Sequence, residues 1–244
     1  MTEIKFHLLS KNYSHNQKTL TALTDIHFSI ETHAFTVLLG PEKAGKTTLL
    51  RILAGLEKPT VGKIQFPLDH NEKPQSVGMV FSEPRLMPWL TVKENLLFGL
   101  KETPSEKEID QLLKLLNLIP YKDSYPRQIN LETAQNVALG RTLVHNPDMI
   151  VMDDPFRQLS YLGRIKLQEE WIRLPLLHKK TIIFATQDIE EAAFLAQRIV
   201  IMDNGEVSSD YPIPKEHQHQ RHGQALNIIK KNLLAILQRF QSKP

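Results

Sequence analysis

Nine consecutive residues carry the strongest chemical signal in this chain. They are Gly40, Pro41, Glu42, Lys43, Ala44, Gly45, Lys46, Thr47 and Thr48. The run matches the spacing G-x-x-x-x-G-K-[ST], in which a glycine-rich backbone folds around phosphate groups. In that pattern Lys46 meets the β- and γ-phosphates, and the Thr47 hydroxyl takes a place on Mg²⁺. The residue types and their spacing therefore predict a binding site for a nucleoside triphosphate.

The sequence on either side of this phosphate-binding loop (P-loop) fits the elements that such a loop requires. Phe35–Leu39 is a short apolar run typical of a buried strand, and residues 47–53 are typical of a helix. Backbone N–H groups at a turn from strand to helix point inward and bind anions, helped by the positive end of the helix dipole. A chance glycine-rich turn before an amphipathic helix is the alternative, but the presence of both elements favours the phosphate site.

An acidic pair farther along the chain completes the predicted site. Asp153 and Asp154 directly follow the apolar run 149–152, which is typical of a buried strand. A P-loop needs an acidic residue at the end of a neighbouring strand to hold Mg²⁺, so Asp153 joins Thr47 as a candidate metal ligand. Asp154 stands where a general base or water-orienting carboxylate is wanted. The alternative is a strand-ending turn with acidic caps for the next helix.

Composition limits the class of protein. The chain has 244 residues, 41% of them hydrophobic and 23% charged, which suits one composite domain or two small ones. A formal charge of +3 without a basic run argues against nucleic-acid binding, and the absence of cysteine favours a reducing compartment. The first residues lack the apolar core of a signal peptide, and no stretch approaches the ~20 apolar residues of a membrane span. Another molecule would therefore have to anchor the chain at a membrane.

Further strand and helix patterns surround the two motifs. Strands are predicted at residues 4–9, 25–30, 62–66, 77–81, 149–152, 181–185 and 198–202, the last of them opening a hairpin. Helices are predicted from 91 to about 118 and from about 162 to 174. Within the first of these, Thr103-Pro104-Ser105-Glu106 has the order of a capping box with proline at the first helical position. The apolar stripe that follows it predicts core packing, and its members are Leu112, Leu115, Leu116 and Ile119.

The C-terminal residues have a different character. Residues 216–223 are polar and rich in histidine, and they are predicted to form a linker. His217, His219 and His222 either belong to a metal cluster or are solvated loop histidines, and the pattern favours the second. Apolar residues then recur at helical spacing, which predicts a terminal amphipathic helix that docks on its own domain, with a membrane or a partner as the alternative.

The order of these pieces resembles the ATP-binding-cassette (ABC) ATPases over nearly the whole chain. Tyr13 stands where that family places an aromatic ring against adenine, with an ordinary half-buried tyrosine as the alternative. The segment from Glu83 to Val92 is similar to the family's Q-loop and the start of its helical subdomain. It is most similar to the subgroup that imports nitrate, sulfonates, taurine and related small anions. Gln135 and Arg141 resemble flanks of the family's signature motif.

The resemblance implies an α/β fold, with a RecA-like P-loop NTPase core, an N-terminal antiparallel β subdomain and an inserted α-helical subdomain at about residues 84–130. It implies a nucleotide-binding domain over residues 1–215, followed by the linker and helix of residues 216–244. ATP and Mg²⁺ are the implied ligands. A second ABC ATPase subunit is an implied partner, because the family's ATP sites form between two subunits. Transmembrane permeases would dock near the segment from Glu83 to Val92, which implies a cytoplasmic protein peripheral to the membrane.

Departures from the family fall on residues that do chemistry. Ser82 replaces the Q-loop glutamine and is too short to reach Mg²⁺ and the attacking water from the same backbone. Asp154 replaces the usual glutamate, and withdrawing the carboxylate by about 1.5 Å can cost on the order of a hundredfold in rate. Gln187 replaces the switch histidine and cannot carry its positive charge. Asp154 and Gln187 are therefore predicted to be weakened catalytic positions.

The signature motif is altered most. Where the family has Leu-Ser-Gly-Gly, this chain has Ile129-Asn130-Leu131-Glu132. The motif presents a hydroxyl and open backbone amides at a helix N-terminus to the γ-phosphate bound opposite. Leu131 and Glu132 add side chains where glycines allow close approach, and Glu132 also brings a negative charge. The loop after the acidic pair reads Arg157-Gln158-Leu159-Ser160, where the family ends with an aspartate.

Two functions fit this pattern. In the first, the chain is the ATP-binding subunit of an importer for a small anion and hydrolyses ATP weakly. In the second, it is a nucleotide-gated regulatory or scaffold protein without transport ATPase activity, for which ATP is a conformational ligand. Full-speed hydrolysis is a third possibility, because aspartate can in principle replace glutamate as a carboxylate. The permease-like segment from Glu83 to Val92 favours the first function.

Overall fold

A computed structural model describes residues 3–15, 18–67, 75–174, 176–221 and 223–241. Its strands are β1 (Glu3–His15), β2 (Lys18–Glu31), β3 (Phe35–Leu39), β4 (Val61–Gln65), β5 (Val77–Val80), β6 (Met149–Asp153), β7 (Thr181–Thr186), β8 (Arg198–Asp203) and β9 (Glu206–Pro212). Its α-helices are α1 (Lys46–Leu53), α2 (Val92–Leu97), α3 (Glu106–Leu115), α4 (Leu131–Val144), α5 (Tyr161–Ile172), α6 (Ile189–Leu195) and α7 (Gln224–Gln241).

The larger sheet has the strand order β5-β6-β7-β3-β8-β9. Strands β5, β6, β7, β3 and β8 are parallel, and β9 runs antiparallel to β8. The predicted buried strands and the late hairpin are confirmed. The hairpin turns at Asn204 and Gly205, whose φ angles of 47° and 82° match the left-handed backbone that a two-residue hairpin loop requires. The P-loop strand β3 lies between β7 and β8, and β6 lies on the far side of β7, so the C-terminal ends of β3, β7 and β6 follow one another along the same edge.

Apolar side chains cover both faces of this sheet. Along β3, Val37 and Leu39 face one hydrophobic cluster, whereas Leu38 faces the other. The first cluster lies under α2 to α7 and contains the rings of Phe156 and Trp171, whose centres are 4.8 Å apart. The second lies between the sheet, α1 and the smaller sheet. Burial on both faces explains why β3, β6 and β7 read as continuous apolar runs.

The smaller sheet is antiparallel, in the order β2-β1-β4, and it confirms the predicted N-terminal antiparallel strands. Both long strands extend beyond the predicted ranges 4–9 and 25–30. The extra residues are mostly polar and exposed, so hydrophobic periodicity does not mark them, yet their backbones still pair, with Tyr13 opposite Leu20. This extension brings Tyr13 to the edge of the P-loop.

The predicted helical stretch from residue 91 to 118 is interrupted. It ends at Phe98, where the backbone is extended, and Gly99 has a φ of 86° before α3 begins. The capping box predicted over residues 103–106 is wrong by two residues. Ser105 is the N-cap of α3, and its hydroxyl accepts from the N–H of Glu108, while Pro104 precedes the cap instead of opening the helix.

The stripe predicted for the end of this stretch is only partly buried. Leu116 lies in the core, but Ile119 is 43% exposed because α3 ends before it. Ile109 and Leu113 supply the remaining buried face. The buried side chains that hold α3 against the core are therefore Ile109 and Leu113, with Leu112 and Leu115 partly buried beside them.

The C-terminal helix α7 docks on the domain, as predicted. Ile229 and Leu233 are buried in the first hydrophobic cluster, where α7 packs against α6. His219 contacts the carbonyl oxygen of Phe194 at 3.1 Å, whereas His222 lies outside the described residues. Among the described residues no group of three or more His, Cys, Asp or Glu side chains is arranged to hold a metal ion, and no helix is both long and apolar enough to cross a bilayer.

Candidate nucleotide-binding site

A cleft of about 590 Å³ opens at the C-terminal ends of β3, β6 and β7. Its lining residues are Tyr13, residues 20–22, residues 42–48, Ser82, Asp153, Asp154, Arg157 and Gln187. The fold therefore brings together most of the residues that the sequence predicts for nucleotide binding and catalysis. Gly40 and Pro41 lie at the start of the same loop, and their carbonyl groups accept hydrogen bonds from Lys46.

The P-loop backbone has the shape that its glycines allow. Gly45 has a φ of 93°, and a Cβ atom there would lie 2.6 Å from the carbonyl oxygen of Ala22 on β2, so only glycine fits. Gly45 is also the N-cap of α1, which has no side-chain cap and no acidic residue in its first turn. The first N–H groups of α1 have no partner within the helix and are open to an anion.

Lys46 lies at the centre of the loop. Its ammonium donates to the carbonyl oxygens of Gly40 and Pro41, each at 2.6 Å. Burial lowers the pKa of Lys46, and the carboxylates of Asp154, Asp153 and Glu42 act in the opposite direction. The ammonium is thus held among carbonyls and carboxylates that position it over the loop.

The Thr47 hydroxyl donates to the carboxylate of Asp153 at 2.9 Å. The two residues come from different elements: Thr47 lies in the first turn of α1, and Asp153 ends β6, although 106 positions separate them in the chain. An adjacent hydroxyl and carboxylate are the oxygen ligands that suit Mg²⁺. This is the pairing that the sequence predicts for the metal.

Asp154 follows Asp153 with a left-handed backbone, at a φ of 47°. Its N–H bonds to the carbonyl of Ala185 at 2.9 Å, which fixes the turn against β7. Burial raises the pKa of the Asp154 carboxyl to about 6, opposed chiefly by the positive charge of Arg157. A half-buried carboxylate of raised basicity at this place fits the predicted general base.

Ser82 and Gln187 complete the far side of the cleft. Ser82 follows β5, and Gln187 is an exposed residue directly after β7. A hydrogen bond of 3.3 Å from the Gly40 N–H to the Thr186 carbonyl joins the P-loop to the turn that carries Gln187. The cleft therefore presents a short hydroxyl and a neutral amide at these two positions.

Tyr13 is fixed by a residue that sequence reasoning missed. Its hydroxyl donates to the carboxylate of Glu57, and the Thr48 hydroxyl lies 3.5 Å away. Burial raises the pKa of Tyr13, and the hydrogen bond to Glu57 adds to this rise. Lys11 lies 4.9 Å from the centre of the ring. Glu57 stands in no recognised motif, so its role emerges only when β1 packs beside the end of α1.

The signature-like residues 129–132 lie away from this cleft. Asn130 is the N-cap of α4, and its side-chain oxygen accepts from the N–H of Thr133 at 2.8 Å. The Glu132 carboxylate lies over Gly163, so close that a Cβ atom on Gly163 would lie 2.1 Å from it. Glu132 thus faces the first turn of α5, where the positive end of the helix favours a carboxylate.

A second missed role belongs to Gln135, which is buried in α4. Its Nε2 atom lies 2.8 Å from the carbonyl oxygen of Ser82, 2.7 Å from that of Pro155 and 3.3 Å from that of Phe81. One amide group therefore ties the turn after β5 to the turn after β6. No sequence pattern marks this role, because the partners of Gln135 are backbone carbonyls, which every residue has.

Comparison with known proteins supports the same fold and family. Residues 23–157 match the family model described as ABC transporter. An uncharacterized ABC transporter ATP-binding protein of Methanocaldococcus jannaschii is 34% identical over 96% of this chain and 91% of its own length. The aliphatic sulfonates import ATP-binding protein SsuB of Bacillus cereus is 33% identical over 96% of this chain and 94% of its own length.

Solved structures agree. A dimeric ATP-binding cassette in a post-hydrolysis state, bound to ADP and Pi, superimposes with a TM-score of 0.73 at 28% identity, covering 86% of this chain and 99% of that chain. The cassette cbiO1 of Clostridium perfringens, part of the transporter complex cbiONQ, gives a TM-score of 0.74 at 26% identity, with 98% of each chain covered. The sheet order, the P-loop and these matches together place the chain among the P-loop NTPases, and it belongs to the ATP-binding proteins of the ABC transporter family.

Proposed function

We propose that this chain is the ATP-binding subunit of an importer for sulfonate-type small anions, and that it binds Mg-ATP in the cleft but hydrolyses it slowly. The observation that carries the binding half is the 2.9 Å contact between the Thr47 hydroxyl and the Asp153 carboxylate, in the same cleft as Lys46. The relatives named as aliphatic sulfonate import proteins support the transport half.

The residues of the cleft fit a magnesium-bound triphosphate. Thr47 and Asp153 supply hard oxygen ligands for Mg²⁺. The uncapped first turn of α1 offers N–H donors to phosphate, and Lys46 adds a cation. We assign the loop from Gly40 to Thr48 to the phosphates and Tyr13 to the adenine ring. Tyr13 suits this role because its ring lines the cleft and Glu57 holds its hydroxyl.

We expect slow hydrolysis because of the residues that are available in the cleft to orient the attacking water and to accept its proton. Bound Mg²⁺ supplies charge neutralisation at the phosphates, so this chain's own side chains must orient water and accept its proton. Asp154 is the carboxylate available for that task, on a side chain one methylene shorter than the family's glutamate. Ser82 and Gln187 offer neither the reach nor the charge of the family's residues. The expected loss is on the order of a hundredfold.

The proposed permease contact is the segment from Glu83 to Val92. Two polar side chains organise its backbone: the Nδ2 atom of the buried Asn95 lies within 3.1 Å of three of its carbonyl oxygens, and the Arg141 guanidinium donates to two more at 3.0 Å. Trp89 in this segment is 68% exposed. A rigid backbone that presents an exposed aromatic ring supports docking of a partner.

We further propose that this segment opens a helical subdomain of about residues 84–130 within a nucleotide-binding domain of residues 1–215. Residues 216–244 form a C-terminal extension of that domain. The partners would be transmembrane permeases and a second ABC ATPase subunit, either identical to this chain or different from it. The location would be peripheral, on the cytoplasmic face of the membrane.

The test combines ATP affinity and turnover on one preparation of the purified complex. Mg-ATP is expected to bind, and Lys46→Ala is expected to abolish that binding, whereas turnover should fall far below the ordinary ~10 s⁻¹ of enzymes. A turnover near that value would refute slow hydrolysis. Failure of the chain to co-purify with a polytopic membrane protein would instead favour the regulatory or scaffold function, which the altered catalytic positions also fit.

A further inference from the structure

The cleft is lined by a positively charged side chain, Arg157, that is not part of the P-loop motif and comes from the turn after β6. Arg157 Nη2 lies 2.6 Å from Oε1 of Glu42, and both residues line the cleft. Glu42 occupies a variable position of the motif, and Arg157 belongs to the turn that begins with Asp154, to whose carbonyl its N–H bonds at 3.1 Å. The ion pair therefore joins the P-loop to the turn that carries the acidic pair.

The charge of Arg157 acts on the centre of the cleft. Its guanidinium opposes the burial that raises the pKa of Asp154, and it adds to the burial that lowers the pKa of Lys46. Gln187, at the end of β7, carries no charge that could do the same. Arg157 thus stands within electrostatic range of both the predicted base and the phosphate-binding lysine.

The contact between Arg157 and Glu42 is suited to exchange. The two side chains are 55% and 60% exposed, and exposed ion pairs contribute little to stability. A guanidinium binds phosphate oxygens through a planar fork with two parallel N–H donors, which makes phosphate a stronger partner than one exposed carboxylate. The terminal phosphate of a nucleotide in the cleft should therefore bind Arg157 more strongly than the Glu42 carboxylate does.

We propose that Arg157 is a ligand of the terminal phosphate of the bound nucleoside triphosphate, and that Glu42 is its resting partner. This inference rests on the proposed function, because it requires Mg-ATP in the cleft. The guanidinium exchanges the Glu42 carboxylate for phosphate when the triphosphate binds. The turn after β6 then supplies the positive charge that Gln187 lacks, and the chain prefers a triphosphate to a diphosphate.

Binding measurements on the full chain test this assignment. Dissociation constants for a non-hydrolysable ATP analogue and for ADP, both with Mg²⁺, are measured by calorimetry for the wild type, Arg157→Ala and Glu42→Gln. Arg157→Ala is expected to weaken analogue binding about tenfold or more and ADP binding less than about twofold. Glu42→Gln removes the competing carboxylate, so it is expected to tighten analogue binding.

Both variants break the same ion pair. If the pair only stabilised the structure, both substitutions would change the affinity for the analogue in the same direction. Equal weakening by both, or an unchanged preference for the triphosphate in Arg157→Ala, would overturn the assignment. Arg173→Ala is the matched control, since Arg173 is an exposed arginine paired with Glu169 away from the cleft. Thermal unfolding of each variant is measured to check that it is folded.

The same measurements distinguish a failure of the proposed function from a failure of this inference. A wild-type chain that binds neither nucleotide refutes both. A wild-type chain that binds both nucleotides, loses both with Lys46→Ala and keeps its triphosphate preference with Arg157→Ala refutes only the role of Arg157.

Discussion

The carboxylate of Glu191 accepts a hydrogen bond of 2.6 Å from the Thr186 hydroxyl, at the point where β7 ends beside the cleft. Gln168 donates to the other carboxylate oxygen at 2.7 Å, and the Glu191 side chain is buried. The Thr186 oxygen also accepts from the backbone N–H of Asp188 at 3.0 Å. The turn that carries Gln187 is therefore held in place by a buried carboxyl group.

We expect Glu191 to make stability depend on pH. Burial raises its pKa from 4.5 to about 7, so the unfolded chain releases this proton at a lower pH than the folded chain does. The contribution to the free energy of unfolding is complete below about pH 4.5 and is lost as pH rises through about 7. Glu191→Gln keeps the shape without titrating, with its amide oxygen accepting from Gln168 and its NH2 donating to the Thr186 hydroxyl, so at pH 8 it should be more stable than the wild type by on the order of 3 kcal/mol.

Urea unfolding of both proteins between pH 5 and pH 8 measures this difference. Thr186→Val provides the paired variant, because the Thr186 hydroxyl lowers the pKa of Glu191 and its removal should raise that pKa further, which makes the folded chain lose more stability by pH 8. Parallel pH curves for the wild type and Glu191→Gln would contradict the assignment.

Gln135→Ala should destabilise the turns on both sides of the cleft. The substitution removes the only donor that the structure shows for the carbonyls of Ser82 and Pro155 within the described residues, at 2.8 and 2.7 Å. Leaving buried carbonyls unpaired costs about 1–3 kcal/mol. Denaturant unfolding measures the loss, and Gln158→Ala is the control, since Gln158 is an exposed glutamine in the turn after β6. Equal stability of the two variants would show that Gln135 is not the tie between these turns.

The P-loop and its contact with Asp153 were predictable because their signals are local. The motif fixes Gly45, Lys46 and Thr47 by spacing alone, and the apolar runs before the loop and before Asp153 identify parallel strands. Parallel strands end along one edge of a sheet, so the contact between Thr47 and Asp153 follows from the pattern.

The contacts that hold the site together were not predictable in this way. Glu57 reaches Tyr13 only because polar residues extend β1 past its apolar part, and periodicity does not mark such residues. Gln135 bonds to backbone carbonyls, which leave no mark in the sequence. The sequence allows a cap of α3 at either Thr103 or Ser105, and the structure places it at Ser105. The choice depends on local backbone geometry, which the residue types do not reveal.

Asn130→Ala should lower stability by about 1 kcal/mol, because it removes the N-cap of α4. Asn130→Ser keeps a capping oxygen and is expected to be close to the wild type. Denaturant unfolding of the two variants on the same preparation gives the comparison. If Asn130→Ala matched Asn130→Ser, the bond to the Thr133 N–H would not be what starts this helix.

We expect Asp154 to determine how fast the bound nucleotide is hydrolysed in the cleft. Asp154→Asn removes the carboxylate that can accept a proton, and turnover of the purified complex should fall by about a hundredfold or more. Asp154→Glu restores the missing methylene, and turnover should rise, by up to about a hundredfold if reach alone limits the rate. A smaller rise would assign the remaining loss to Ser82 and Gln187, which the substitution leaves in place.

ATP affinity measured on the same samples separates these effects on kcat from effects on binding. Wild-type turnover in Asp154→Asn would show that the carboxylate is already idle. In that case Asp154→Glu should not raise turnover either, because a group that does not take part in the reaction gains nothing from a longer side chain. A fall in Asp154→Asn would show that the carboxylate takes part in hydrolysis, and a rise in Asp154→Glu would show that its reach limits the rate.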